Sequence, residues 1–202
     1  MKFPFFASFI VFCLWLTYEI HKHRNMEQKT MDDFWEKELA ANRTKRKPLD
    51  DLNYIQIPLD TFPMSVLSDN PVILECHEIL TELSTEKIVN LTGISNTDLK
   101  LQYGAPNIKI LSAYDQRYTT LARTLQTFGN ELYENGYTNE ARTVLEFAVS
   151  THTDISSTYK LLCKIYKEQN QPQKINELLP IAKELNSGLK NSIVQMLMEE
   201  CL

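Results

Sequence analysis

Three lysines, Lys160, Lys164 and Lys167, are spaced so that a helix would carry them on one face. Gathered on one side of a chain with 26 acidic and 21 basic residues, they have the chemistry to hold an acidic peptide or a terminal carboxylate. The plainer reading of such a stripe is a solvated polar face. A second cluster, Arg43, Lys45, Arg46 and Lys47, stands before Pro48. Its candidate role is adhesion to anionic lipid, worth about 1 kcal/mol per base near the surface; a solvated linker is the competing reading. Other reactive residues form no constellation. Cys76-His77 is an adjacent pair with no second ligand pair to complete a metal site. His21 and His23 flank an apolar run, and neither a phosphate-binding loop, a dinucleotide fingerprint nor a G-x-S-x-G turn occurs. No cofactor and no catalytic residue is expected.

Composition bounds what must position these residues. The chain has 202 residues, 43% hydrophobic and 23% charged, with 5 Gly, 8 Pro and 4 Cys. It is long enough to bury a core, too rich in apolar residues to be disordered, and too poor in cysteine for a disulfide scaffold. The net charge of −5 gives no footprint for nucleic acid. Charge is uneven: residues 1–48 hold nine bases and six acids, leaving 12 bases and 20 acids for the remainder. A basic leading segment on an acidic body points to a membrane surface.

The run from Phe3 to Ile20 carries only one charge, Glu19, and its 18 residues reach the lower limit for a membrane-spanning helix. Trp15 and Tyr18 lie towards one end, as interfacial rings do. A cleaved signal peptide is the rival, but no small-residue cleavage site follows the run. Because Lys22, Arg24, Lys29 and Lys37 follow it and only Lys2 precedes it, the expected orientation is a single pass in the plasma membrane with the C-terminal body cytoplasmic. Scattered cysteines agree with a reducing compartment.

The domain plan has six parts: a transmembrane anchor over 3–20, a basic juxtamembrane helix and linker over 21–48, an extended strap over 49–69, a helical first part of the body over 70–121, a repeated region over 122–185, and a capping helix over 187–200. Thr30-Met-Asp-Asp33 has the form of a capping box that would open a separate helix. Pro58 and Pro63 deny the strap a regular strand and leave Ile55, Ile57, Leu59 and Phe62 to anchor it. Helical periodicity dominates from Asn70-Pro71 onward, with a short helix expected over 85–93 and a long one ending at Gly136.

Comparing the chain with itself at an offset of 34 pairs Leu125, Phe128, Gly129, Leu132, Gly136, Ala141, Leu145 and Ala148 with Tyr159, Leu162, Cys163, Tyr166, Asn170, Ile175, Leu179 and Ala182. Each pair keeps its type. The first unit, LxxFGxxLxxxGxxxxAxxxLxxA, resembles the tetratricopeptide repeat; the second departs from it at Asn170 and Ile175, and both lack the terminal proline. The stretch FWEKELAANRTKRKPLDDLNYIQIPLD is also similar to small membrane-anchored helical-repeat proteins of Gram-positive bacteria. The resemblance implies an all-α fold, a transmembrane helix followed by a helical bundle or short solenoid. It also implies a peptide-binding groove formed by Arg123, Gln126, Asn130 and Tyr133 from one unit and Ser157, Lys160, Lys164 and Lys167 from the next. The clamp of chaperone-binding relatives is matched only at Asn130, with Gln126 and Gln195 where that clamp is basic, so chaperone tethering is disfavoured. The expected function is that of a membrane-anchored adaptor or scaffold for a protein or peptide, acidic by charge. The alternative is a structural subunit of a membrane complex whose groove is filled by its own strap or by self-association.

Overall fold

The computed structural model describes residues 4–200; the side chains of 4–7 and 25–27 lie outside that description. The fold is all-helical, with helices α1 (Pro4–Arg43), α2 (Pro71–Ser84), α3 (Asn96–Tyr103), α4 (Ile108–Glu134), α5 (Thr138–Ser150), α6 (Ser156–Glu168), α7 (Gln173–Glu184) and α8 (Lys190–Glu200). The chain divides into two compact units, Met1–Lys47 with Asn96–Asn107, and Pro48–Ser95 with Ile108–Leu202.

In the first unit α1 runs unbroken for 40 residues. The separate helix expected from Thr30 does not form, because residues 21–30 contain neither Gly nor Pro and nothing interrupts the helix before that capping box. The expected anchor over 3–20 begins at a residue outside the described part. Among the described residues no helix is long and apolar enough to cross a membrane: the apolar run followed by Glu19 gives way to His21, Lys22, His23 and Arg24 within the same helix. Phe9, Val11, Leu14 and Tyr18 are each more than 60% exposed, so this part of α1 presents apolar side chains on every face.

Near its end α1 packs on α3. Lys37 Nζ meets Asp98 at 2.7 Å, and the Glu38 carboxylate accepts from Thr97 Oγ1 at 2.6 Å and from Lys100. Those two donors hold the Glu38 carboxyl below the usual carboxylate range. Residues 45–47 then lie along the end of α3. Buried Asn107 fixes them, its Nδ2 donating to the carbonyls of Lys47 and Tyr103 and its Oδ1 accepting from Arg46 Nε, all at 2.8 Å. Gly104, at φ +92°, allows this approach, since a Cβ there would stand 2.2 Å from the Lys45 carbonyl oxygen.

The second unit begins with the strap, seated as expected: Phe62 is buried edge-on against Phe147 (5.4 Å) and Phe128 (6.5 Å), with Ile55, Ile57 and Leu59 half-buried on the same core. Asn70 caps α2, its side-chain oxygen accepting from Val72 N and Ile73 N, and Ile73, Cys76, Leu80 and Leu83 pack inward. The helix expected over 85–93 is absent. Buried Ile88 and Val89 are instead extended, Val89 bridging Tyr54 and the Ile88 carbonyl accepting from Ile55 N at 2.9 Å. Two adjacent β-branched residues with a backbone partner favour this geometry over a single helical turn. Gly93 closes the segment at φ +81°, and a Cβ there would fall 1.6 Å from the Asn186 carbonyl oxygen.

From α4 onward the chain is two consecutive helical hairpins, α4–α5 and α6–α7, followed by α8. Residues 34 apart have matching environments: Leu125 and Tyr159, Phe128 and Leu162, Ala141 and Ile175, and Ala148 and Ala182 are all fully buried. The turns match bond for bond. Gly136 N donates to Tyr133 O and Tyr137 N to Leu132 O; Asn170 N donates to Lys167 O and Gln171 N to Tyr166 O. Both turns are Schellman motifs with a left-handed residue, Gly136 at φ +87° and Asn170 at φ +53°.

Candidate functional site

The lysine stripe is held by α6, whose inward face, Tyr159, Leu162, Cys163 and Tyr166, is buried. That packing fixes the rotation of the helix and turns Lys160, Lys164 and Lys167 to solvent. Helices α4 and α8 flank α6, and between them lies a cleft of about 490 Å³. Gln126 and Asn130 line it from α4; Ser157, Lys160, Leu161, Lys164, Lys167 and Glu168 line it from α6; Glu200 closes it from α8. Of the groove residues expected from sequence, Arg123 is exposed on α4 but does not line the cleft. Tyr133 stands behind the lining, with its ring 4.8 Å from Lys164 Nζ.

The three ammonium groups have different surroundings. Lys167 Nζ is paired with Glu200 at 2.6 Å. Lys164 lies over the Tyr133 ring, and the Tyr133 hydroxyl donates to Glu168 at 2.6 Å. Tyr133, and more weakly the Glu168 charge, hold the Lys164 ammonium above its ordinary range, so it stays charged at neutral pH. Lys160 has no ion-pair partner among the described residues. On the opposite wall Gln126 accepts from Thr158 Oγ1 at 2.6 Å and Asn130 donates to Glu134 at 2.8 Å. The arrangement is a cationic trough with amide groups on one wall and Leu161 in its floor. It can hold carboxylates; among the described residues it contains no nucleophile–base pair. Sequence reasoning missed Leu161, Glu168 and Glu200. Glu168 could have been found one turn beyond Lys164, whereas Glu200 reaches Lys167 only through tertiary packing.

The second cluster is partly committed to structure. Arg46 and Lys47 bond to Asn107 Oδ1 and to the Leu101 carbonyl, and Arg43 and Lys45 remain exposed. Cys76 and His77 do not act together. Cys76 is buried, its thiol pushed up to about 11 mainly by burial. His77 packs edge-on against Phe128 at 5.2 Å, its Nε2 has no hydrogen-bond partner among the described residues, and burial lowers its pKa. Among the described residues no group of three or more His, Cys, Asp or Glu is placed to hold a metal ion.

A second cavity, about 390 Å³, lies where the strap and residues 90–94 meet the ends of α5 and α7. Its polar groups are largely engaged: Asn90 donates to the carbonyls of Thr151 and His152, and Ser187 to Asp154. His152, left-handed at φ +60° after α5, faces Glu184 at 3.4 Å. It is a seam between structural segments.

No protein-family model, curated protein or solved structure matches the chain. The functional reading therefore rests on the geometry of the cleft.

Proposed function

We propose that the chain is a single-pass, membrane-anchored adaptor with a short solenoid of tetratricopeptide type, recruiting a protein or peptide at the cytoplasmic face through the α4–α6–α8 cleft. The observation that carries this reading is the convergence of Gln126, Asn130, Ser157, Lys160, Lys164 and Lys167, from two equivalent hairpin positions, on one open trough. Three lysines facing one space in a unit rich in acids favour a ligand over an idle polar surface. The exposed apolar side chains of α1 and the bases that follow them support the anchor and its orientation, and tethering would raise the concentration of the cleft near membrane partners. No catalytic step belongs to this reading. Filling of the cleft by the strap lacks support, because strap residues line none of it.

The test uses the full chain in its native membrane. A photocrosslinking residue replacing Lys160 should give a discrete adduct that a replacement at Lys174, outside the cleft, does not. Adding Lys164→Glu and Lys167→Glu should remove the adduct without changing helicity. Deleting residues 1–20 should move the protein to the soluble fraction. A full-length chain already in the soluble fraction, or an adduct that survives charge reversal, would refute the proposal. An adduct to a second copy would instead favour the structural-subunit reading.

A further inference from the structure

We infer that the α4–α6–α8 cleft takes an extended acidic peptide segment with carboxylates at alternate positions, and that Glu200 is its built-in competitor, occupying Lys167 until the peptide displaces it. This rests on the adaptor reading above and adds the ligand class and its regulation.

The ligand class follows from spacing and charge. Lys160 and Lys164 are four residues apart on α6, about 6 Å along the axis at ~1.5 Å per residue. Side chains i and i+2 of an extended peptide are about 6.6 Å apart, at ~3.3 Å per residue, and point the same way. An acidic-x-acidic segment running beside α6 therefore meets both ammonium groups in register. The rest of the body repels such a segment: beyond residue 48 acids outnumber bases 20 to 12, so charge complementarity directs it to the lysines. Leu161 offers an apolar floor to the methylenes of the acidic side chains, and Gln126 and Asn130 offer the peptide backbone amide partners.

The competitor is visible in the structure. Glu200 from α8 reaches into the cleft and places Oε2 2.6 Å from Lys167 Nζ, where a third peptide carboxylate would come. The pair is exposed, with the lysine side chain at 49% and the glutamate at 33%. Exposed pairs are weak and are exchanged readily. Glu200 thus lowers affinity without closing the site and leaves Lys160 and Lys164 to make first contact.

The experiment measures fluorescence anisotropy of labelled (Glu-Ser)4 and (Gln-Ser)4 peptides with the full chain in lipid nanodiscs. The glutamate peptide should bind, more weakly as salt is raised, and the glutamine peptide should not. Lys160→Glu with Lys164→Glu should weaken binding at least tenfold. Glu200→Gln should tighten it about two- to fivefold, the range set by an exposed ion pair, and should have no effect in a Lys167→Gln background. Unchanged or weaker binding by Glu200→Gln overturns the competitor, as does the same gain in the Lys167→Gln background. Absence of (Glu-Ser)4 binding to both wild type and Glu200→Gln overturns the ligand class, even if crosslinking from position 160 still finds a native partner; the two proposals fail separately.

Discussion

Replacing Gly129 with alanine sets two effects of known size against each other. Gly129 lies inside α4, where alanine is worth about 1 kcal/mol of intrinsic helix propensity. The new methyl would stand 2.6 Å from Leu145 Cδ2 and 2.7 Å from Cγ on α5. Leu145 is fully buried, so it has no solvent-facing rotamer to retreat to, and overpacking of this kind costs about 1–3 kcal/mol. With two carbons of a fully enclosed side chain inside contact distance, the cost falls in the upper half of that range. The net expectation for Gly129→Ala is a loss of about 1–2 kcal/mol, or roughly 2–8 °C in Tm for a body of this size. Thermal melts followed by circular dichroism on the full chain measure it. Leu145→Ala alone should cost about 2–5 kcal/mol, whereas in the Gly129→Ala background it should cost less by about 0.5–3 kcal/mol, because the two changes compensate. A higher Tm for Gly129→Ala, or additive losses in the double variant, would refute the view that α4 and α5 are held at a separation only glycine permits.

Three further outcomes follow from the described geometry. Asn170→Gly should stabilise by up to about 1 kcal/mol, since Asn170 holds φ +53° and glycine adopts that region without strain; urea unfolding of the two proteins compares them. The lowered pKa of His77 means the unfolded chain binds its proton more readily. Its contribution to stability is therefore intact above pH ~6.5 and is lost as pH falls below that value; His77→Phe should flatten this part of the stability–pH curve, as measured by urea unfolding at a series of pH values. Asn107→Ala should cost about 1–3 kcal/mol locally by stranding the Lys47 carbonyl and removing the acceptor of Arg46 Nε, read as about fivefold or more faster tryptic cleavage after Arg43, Lys45 and Arg46.

The sequence was legible where structure is local. The 3.6-residue period located α2 and the helices from α4 on, and the offset of 34 foretold the shared burial of Leu125 and Tyr159. The lysine stripe was legible for the same reason: residues 160, 164 and 167 meet on any helix, and only the rotation of α6, set by Tyr159, Leu162 and Tyr166, had to be supplied. What escaped depends on partners distant in the chain. Ile88 and Val89 read as helix until Tyr54 and Ile55 give them a backbone partner. Thr30 reads as a start because Thr30-Met-Asp-Asp33 has the form of a capping box, with Asp33 in the place of the usual Glu or Gln, yet a helix already under way has no need of one. Arg46 and Lys47 read as free charges because Asn107, which binds their segment, lies far along the sequence. Arg123 shares the polar side of α4 with Gln126 and Asn130, but the cleft begins below it.

The close approach of Gly93 to Asn186 bears on how the second unit comes apart. A linear array of hairpins ordinarily frays from its ends, each member leaning only on its neighbours. Here the loop after α7 is seated against a segment that precedes α4, and Asn90 reaches the loop after α5 in the same way, so the outermost hairpin cannot detach without unseating residues near the start of the array. The repeats should melt together in one cooperative transition, and the trough on α6 should keep its shape until that transition arrives.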